Sequence, residues 1–368
     1  MEAVSQPVQP EIQYPEPKFR NVLIIRFSAM GDVVLTVPVI QNLLRQYPNL
    51  KITVLTRPFF LPFFENIPQV TCYAIDSKGP QKSIWGLKRW VDTLIKDEKI
   101  EVVMDLHSVI RTWIMGFFFR LKGIPIYSVD KGRKEKKRLI QKGIAFFETL
   151  STKEHESKLP LPHATERYRN VFERAGFNFE MQPVNLRVFN PLVQPNNKLT
   201  IGIAPFAAHP SKQWGMAKIY ELVEKLLLQY PEIEINLFGG GAQEVKILQK
   251  LADYYPSVHN LAGKMSLKEE IQKISELRAF ISMDSGNMHI ASLTGIPVVS
   301  IWGGTHPDIG FSALYQPKEN HIQIPVEVLS CRPCSVFGTA HCTHAKPFAC
   351  MQDLHVDDVI KRLIVILK

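Results

Sequence analysis

A carboxylate, two small residues and an imidazole lie close together in MDSGNMHIASLTG, as Asp284, Ser285, Gly286 and His289. Where a buried strand turns sharply into a helix, the free N–H groups and dipole of the helix start can hold a phosphate without a basic side chain. Glycine lets the anion approach closely, a carboxylate accepts sugar hydroxyls, and an imidazole donates to a phosphate oxygen. The same residue types also suit a plain helix cap above a core histidine. Three other stretches carry comparable chemistry. FSAMGD (27–32) ends in Asp32, which can take a proton from an attacking hydroxyl or cap a helix. HPSKQW (209–214) brings Lys212, able to stabilise charge on a departing phosphate. FGGGAQE (238–244) brings Glu244, able to hold a ribose diol. It lacks the GxGxxG spacing and the acid about twenty residues on that a dinucleotide fold uses, which argues against NAD.

These side chains need strands that end together. The unit around Asp284 is predicted as a strand over 280–283, a helix over 287–293 and a strand over 297–302. NVLIIRF (21–27) is an unbroken apolar strand of the kind buried on both faces of a parallel sheet, and Pro38 implies a kink or restart in the helix after it. Further strands are expected over 51–56, 67–75 and 101–107, with helices over 83–96, 109–120 and 160–176. A second alternation begins with LTIGIAP (199–205) and runs through a helix over 216–229, INLFGGG (235–241), a strand over 258–261 and a helix over 267–277. Alternating strands and helices in both halves imply two α/β domains with a cleft between them. Residues 1–18, rich in Pro, Gln and Glu, form a disordered or loosely packed leader; 19–190 form the N-terminal domain and 191–368 the C-terminal one, with PLVQPNNK (191–198) in the linker.

The chain of 368 residues is long enough for two cores, and 44 Lys and Arg against 35 Asp and Glu give +9, favouring an anionic partner. DKGRKEKKR (130–138) concentrates six basic residues against two acidic ones, either as a solvated loop or helix start or as a patch for a phosphorylated or membrane-surface acceptor. It lacks the interleaved aromatics of a single-strand nucleic-acid binder. WIMGFFF (113–119) is too short to span a bilayer and is flanked by Arg111 and Arg120. With no secretory signal at the N-terminus, a cytoplasmic location is expected.

Taken in order, LIIRFSAMGDVVLTVPVI, PFAAHPSKQW, LFGGGAQE, LAGKMSL and MDSGNMHIASLTGIPVVSIWGGT resemble the ADP-heptose:lipopolysaccharide heptosyltransferases of glycosyltransferase family 9, over nearly the whole chain after the leader. The resemblance implies a GT-B fold, two Rossmann-like α/β domains facing a central cleft. It also implies inverting transfer of heptose from ADP-heptose to a lipopolysaccharide inner-core acceptor at the inner face of the cytoplasmic membrane, by peripheral contact and without nucleic acid. By position it makes Asp32 the base that activates the acceptor hydroxyl and Lys212 the support of the leaving nucleotide. Glu244 falls on the adenosine ribose, Met265 along the base, Asp284 on the donor sugar, and Ser285, Gly286 and His289 around the diphosphate. Arg57 and Arg111 fall where family members bind the phosphorylated acceptor, although either residue equally suits a surface salt bridge. No cofactor is required for such chemistry. Rival readings are a GT-B enzyme using a UDP- or GDP-sugar for another surface glycan, a nucleotide-binding module without catalysis, and a basic nucleic-acid-binding protein.

Cys331, Cys334, Cys342 and Cys350 are separated by two, seven and seven residues, with His341 and His344 nearby. CRPC has the spacing of a metal knuckle while the longer arms do not match a zinc ribbon, so structural zinc, disulfides and reduced thiols all remain open.

Overall fold

The structure, a computed structural model, describes residues 14–76, 79–142, 160–184 and 199–368. Five parallel strands form one sheet: β1 (Asn21–Ile25), β2 (Lys51–Thr56), β3 (Val70–Ala74), β4 (Val102–Asp105) and β5 (Ile126–Ser128), in the order β3-β2-β1-β4-β5. Six form a second: β6 (Thr200–Ala204), β7 (Glu234–Leu237), β8 (Val258–Asn260), β9 (Ala279–Met283), β10 (Val298–Trp302) and β11 (His321–Gln323), in the order β11-β10-β9-β6-β7-β8. In both sheets the order reverses once, between β1 and β4 and between β6 and β9. Open α/β sheets bind ligands beyond the carboxyl ends of the strands at such a reversal.

The apolar strands are buried on both faces. Val22 and Ile24 of β1 join an inner core with Val33, Val37, Phe280, Met288 and Ile290, whereas Leu23 and Ile25 face an outer core with Leu87, Val91, Met115 and Phe119. The inner core is continuous across both sheets. In the second sheet, Ile201, Ile203, Ile281 and Met283 face the opposite way, into a third cluster that contains Leu222, Leu226 and Val359.

The helices relevant below are α1 (Met30–Val34), α2 (Thr36–Gln46), α3 (Ile84–Glu98), α4 (Ile110–Leu121), α5 (Arg133–Lys142), α6 (Ala164–Arg174), α7 (Met216–Gln229), α8 (Ala242–Tyr254), α9 (Leu267–Ser275), α10 (Gly286–Leu293), α11 (Ala349–Gln352) and α12 (Val356–Leu367). The break expected from Pro38 falls at Leu35, leaving Pro38 in the first turn of α2, where its missing N–H costs no helix bond. Ser83 caps α3 by accepting the Gly86 N–H at 3.0 Å. The last helix, α12, packs on α7 and against β9 and β10.

The boundary placed at 190/191, the PLVQPNNK linker and residues 1–13 of the leader lie outside the described residues. At 14–18 the chain forms no helix or strand, and Tyr14 packs half-buried against the inner core.

Candidate functional site

The two reversals bring Asp32, Lys212, Asp284 and His289 to facing ends of the sheets. Two close approaches join the α1 and α10 helix starts. A Cβ at Gly31 would lie 2.5 Å from His289 Cδ2, and one at Gly286 would lie 2.3 Å from Met30 Cε. At Gly31 the obstacle is a buried ring, so that position requires glycine for this packing, whereas at Gly286 a side chain would have to displace Met30.

Asp32 is the third residue of α1, not its cap; Ala29 holds the cap position and Asp32 Oδ2 accepts the Ala29 N–H at 3.3 Å. Arg26, directly after β1, is buried and its guanidinium lies 2.6 Å from Asp32 Oδ2. The Tyr168 hydroxyl of α6 donates to Asp32 Oδ1 at 3.2 Å, and the Arg26 guanidinium sits 5.7 Å from the centre of the Tyr168 ring. Arg26 also donates to the Leu106 carbonyl. The carboxylate is thus clamped on both oxygens, yet at 23% side-chain exposure it still reaches open space.

Lys212 closes a short 3-10 turn after β6, and its ammonium lies 3.0 Å from Asp284 Oδ2. The Thr305 hydroxyl donates to the same oxygen at 2.7 Å. Ser285 holds the cap position of α10 but makes no capping bond; its hydroxyl instead meets the Ser282 hydroxyl at 3.1 Å. The N–H groups that open α10 are therefore not taken by a cap, the arrangement that receives an anion. His289 lies between the two halves, buried, with Nδ1 lacking a hydrogen-bond partner among the described residues. Burial pulls its pKa down to about 4, against the opposing pull of Asp284 and Asp32, so the ring is neutral at physiological pH.

Glu244, in the first turn of α8, accepts the Gly240 N–H at 2.8 Å and so braces the glycine turn after β7. Met265 is half-buried just before α9 and packs on the inner core. Of the two arginines assigned to the acceptor, Arg57 is exposed at the end of β2, whereas Arg111 donates to the Gln81 carbonyl at 2.8 Å and ties the α4 start to the segment before α3.

The basic segment is not a solvated loop. It forms α5, whose Lys136 is buried with its ammonium 4.2 Å from the centre of the Phe311 ring. Between this helix, α6 and the Phe311–Phe337 side of the second half is a cavity of about 430 Å³, lined by Asp32, Arg26 and Tyr168 together with Lys131, Arg133, Lys136, Lys137 and Arg167. Burial, with Arg167 adding to it, lowers the Lys136 pKa to about 8; burial also lowers that of Lys131. Arg26, Tyr168, Arg167 and the inward face of α5 were not picked out from the sequence. Only Arg26 has a local signal, a charge directly following a fully apolar strand.

The four C-terminal cysteines stand as free thiols. They line one cavity of about 270 Å³ around the buried Arg332, although among the described residues no three His, Cys, Asp or Glu side chains are arranged to hold a metal ion. Arg332 is committed to the loop itself, donating to the carbonyls of Gly303, Ile324, Trp302 and Thr305 and to Gln323 Oε1.

Comparison with known proteins agrees with this geometry. The lipooligosaccharide heptosyltransferase 2 of Campylobacter jejuni is 25% identical over 341 residues, covering 91% of this chain and 95% of that protein. The lipopolysaccharide core heptosyltransferase OpsX of Haemophilus influenzae is 23% identical over 304 residues, covering 78% and 80%. Among solved structures, a family 9 glycosyltransferase from Veillonella parvula matches with a TM-score of 0.68 at 18% identity, over 96% of this chain and 99% of that one. The Escherichia coli heptosyltransferase WaaC, solved with ADP, matches with a TM-score of 0.67 at 18% identity, over 94% and 99%. Both matches show the same GT-B fold. The profile of glycosyltransferase family 9 (heptosyltransferase) covers residues 125–337, more than half of the chain, and the chain belongs to that family of transferases.

Proposed function

We propose that this protein transfers heptose from ADP-heptose, with inversion, to a phosphorylated inner-core acceptor of lipopolysaccharide, working at the inner face of the cytoplasmic membrane by peripheral contact. The observation that carries this reading is the placement of Asp32 on a cation-lined cavity, with the Lys212–Asp284 pair and the uncapped start of α10 on the facing half. The curated relatives named as heptosyltransferases support the donor and acceptor classes.

In the proposed step the acceptor hydroxyl loses its proton to Asp32 as its oxygen bonds to the sugar C1. The bond from C1 to the ADP phosphate oxygen breaks on the opposite face, and its electron pair leaves with ADP. Lys212 and the α10 N–H groups stabilise that developing charge, the term that usually dominates such transfers. His289 reaches a diphosphate oxygen as a neutral donor, while Asp284 holds the sugar hydroxyls. Glu244 and Met265 receive the adenosine. The acceptor's phosphates are held by Lys131, Lys136 and Arg167 in the cavity, with Arg57 at its approach. Structural zinc on Cys331, Cys334, Cys342 and Cys350 is a separate proposal: it requires the thiols to draw together, and metal analysis with a stoichiometry near zero ends it.

Thermal unfolding with a nucleotide panel tests the donor class. At about 100 times its dissociation constant, a ligand adds roughly 2.7 kcal/mol of stability and raises Tm by about 2–4 °C. ADP and ADP-heptose are expected to give this shift. A shift with UDP or GDP instead would assign another donor.

A pH profile tests the acceptor site. Lys136 is charged below about pH 8 and loses its proton as pH rises through that value. KM for a phosphorylated acceptor is therefore expected to rise between pH 7 and 9 while the donor KM stays level. Lys136→Arg, which keeps its charge across this range, should flatten the rise. A profile that is unchanged by Lys136→Arg would remove Lys136 from acceptor binding.

A further inference from the structure

The outer face of α4 is apolar although none of the described residues covers it. Ile110, Trp113, Phe117 and Leu121 follow one another at spacings of three or four residues and so form one stripe, opposite the buried Thr112, Met115, Gly116 and Phe119. Ile84 and Trp85 extend the patch from the start of α3, which packs beside α4. These six side chains are 53–72% exposed, and they make up much of the large apolar surface displayed by the described residues. A helix that is apolar all round normally lies within a core, and a clustered exposed patch of this kind marks an interaction surface.

We propose that this face of α3 and α4 rests on an anionic lipid bilayer. Charge complementarity selects the occupant. Lys88, Arg89 and Arg120 lie on the same two helices, with Lys82 shortly before α3 and Lys122 directly after α4. The Asp92 carboxylate set among them is already shared by Lys88 at 2.8 Å and Lys122 at 3.2 Å. Tryptophans beside cations, around an apolar stripe, match the headgroup boundary of a bilayer, where indoles and basic side chains both find partners.

The patch is also continuous with the reaction cavity. The Trp113 indole donates to the Ser108 hydroxyl at 3.3 Å, and Lys131 donates to the Ser108 carbonyl at 3.2 Å. A cavity of about 450 Å³ lined by Ser108 and the 129–135 segment adjoins the one that contains Asp32, sharing Val129, Lys131 and Arg133 with it. A lipid-linked acceptor held in the bilayer under α4 would thus present its anionic sugars along Lys131 toward Asp32. This placement rests on the proposed lipid-linked acceptor, whereas the binding it predicts does not need turnover.

The test is flotation of the full chain with phosphatidylcholine vesicles, with and without phosphatidylglycerol, in the absence of donor and acceptor. Wild type is expected to float with the anionic vesicles and to release with salt. The triple variant Trp85→Ser, Ile110→Ser, Phe117→Ser should bind at least about tenfold less, with an unchanged melting temperature and unchanged turnover on a deacylated, water-soluble acceptor. Wild type that stays with the soluble fraction, or a triple variant that floats equally well, overturns the proposal. So does a concentration-dependent dimer in sedimentation velocity that the triple variant abolishes, since the patch would then be a contact between copies. If no donor supports turnover on any acceptor, the function fails while the flotation result stands on its own.

Discussion

Asp32→Asn is expected to lower kcat by about a thousandfold, near the middle of the 10²–10⁴ range that a positioned general base contributes. That loss corresponds to about 4 kcal/mol of barrier. The amide keeps the size of the side chain and can still accept the Tyr168 hydroxyl, but it cannot take a proton from the acceptor. ADP affinity should be unchanged, because the proposed arrangement sets the donor phosphates against α10 and Lys212 in the other half. A structural cost accompanies the catalytic one: Arg26 is buried, its Nε has no partner, and losing the carboxylate at 2.6 Å leaves the guanidinium without its anion. Leaving a charged group underpaired costs about 1–3 kcal/mol here, since Arg26 keeps its bond to Leu106. Melting temperature and ADP binding, measured alongside kcat, separate the two effects. A variant with full stability and near wild-type kcat would show that another group accepts the proton.

Lys212→Ala is expected to cost about 10²–10³ in kcat, the scale for removing one preorganised donor from a developing oxyanion. It should also weaken ADP, which distinguishes it from Asp32→Asn. In the free protein the ammonium is 3.0 Å from Asp284 and only 12% exposed, so it is held in place before substrate arrives. Removing it leaves Asp284 with the Thr305 hydroxyl as its side-chain partner among the described residues. Lys212→Arg keeps the charge and should recover part of the loss, limited because a planar guanidinium needs more room than the amine. The room is tight: a Cβ at Gly338 would already lie 2.7 Å from Lys212 Cδ. Unaltered ADP affinity in Lys212→Ala would place the leaving group elsewhere.

Much of this arrangement is legible in the sequence wherever one stretch carries the whole signal. NVLII reads as a doubly buried strand because four apolar residues follow Asn21 without a break, and both of its faces are indeed in cores. The unit from Ala279 to Trp302 is equally local: strand, glycine turn, helix and strand follow within a short run, and the observed α10 begins one residue earlier than expected, at Gly286. The parts that were not legible depend on residues far apart in the chain. Asp32 and Tyr168 meet across 136 positions, and a tyrosine within ATERYRNVFER has no feature that foretells it. The basic segment has the composition of a solvated stretch; its Lys136 is buried, with Phe311 from the other half lying over its ammonium. By its place after MDLHS, Arg111 suits an acceptor contact or a surface salt bridge, and its tie to the Gln81 carbonyl depends on how the segment before α3 is laid down. Arg332 follows a cysteine in a motif that suggests metal, yet its hydrogen bonds to the carbonyls around it are set by the path of the loop after β10.

Donor choice is the central claim, and it is tested most directly by turnover of the purified protein with ADP-heptose, ADP-glucose and a set of UDP- and GDP-sugars on one phosphorylated, deacylated inner-core acceptor. Product should form with ADP-heptose, with the configuration at C1 inverted, and should be lost in Asp32→Asn. Turnover with a UDP- or GDP-sugar and none with ADP-heptose would contradict it, as would a product that retains the donor's configuration.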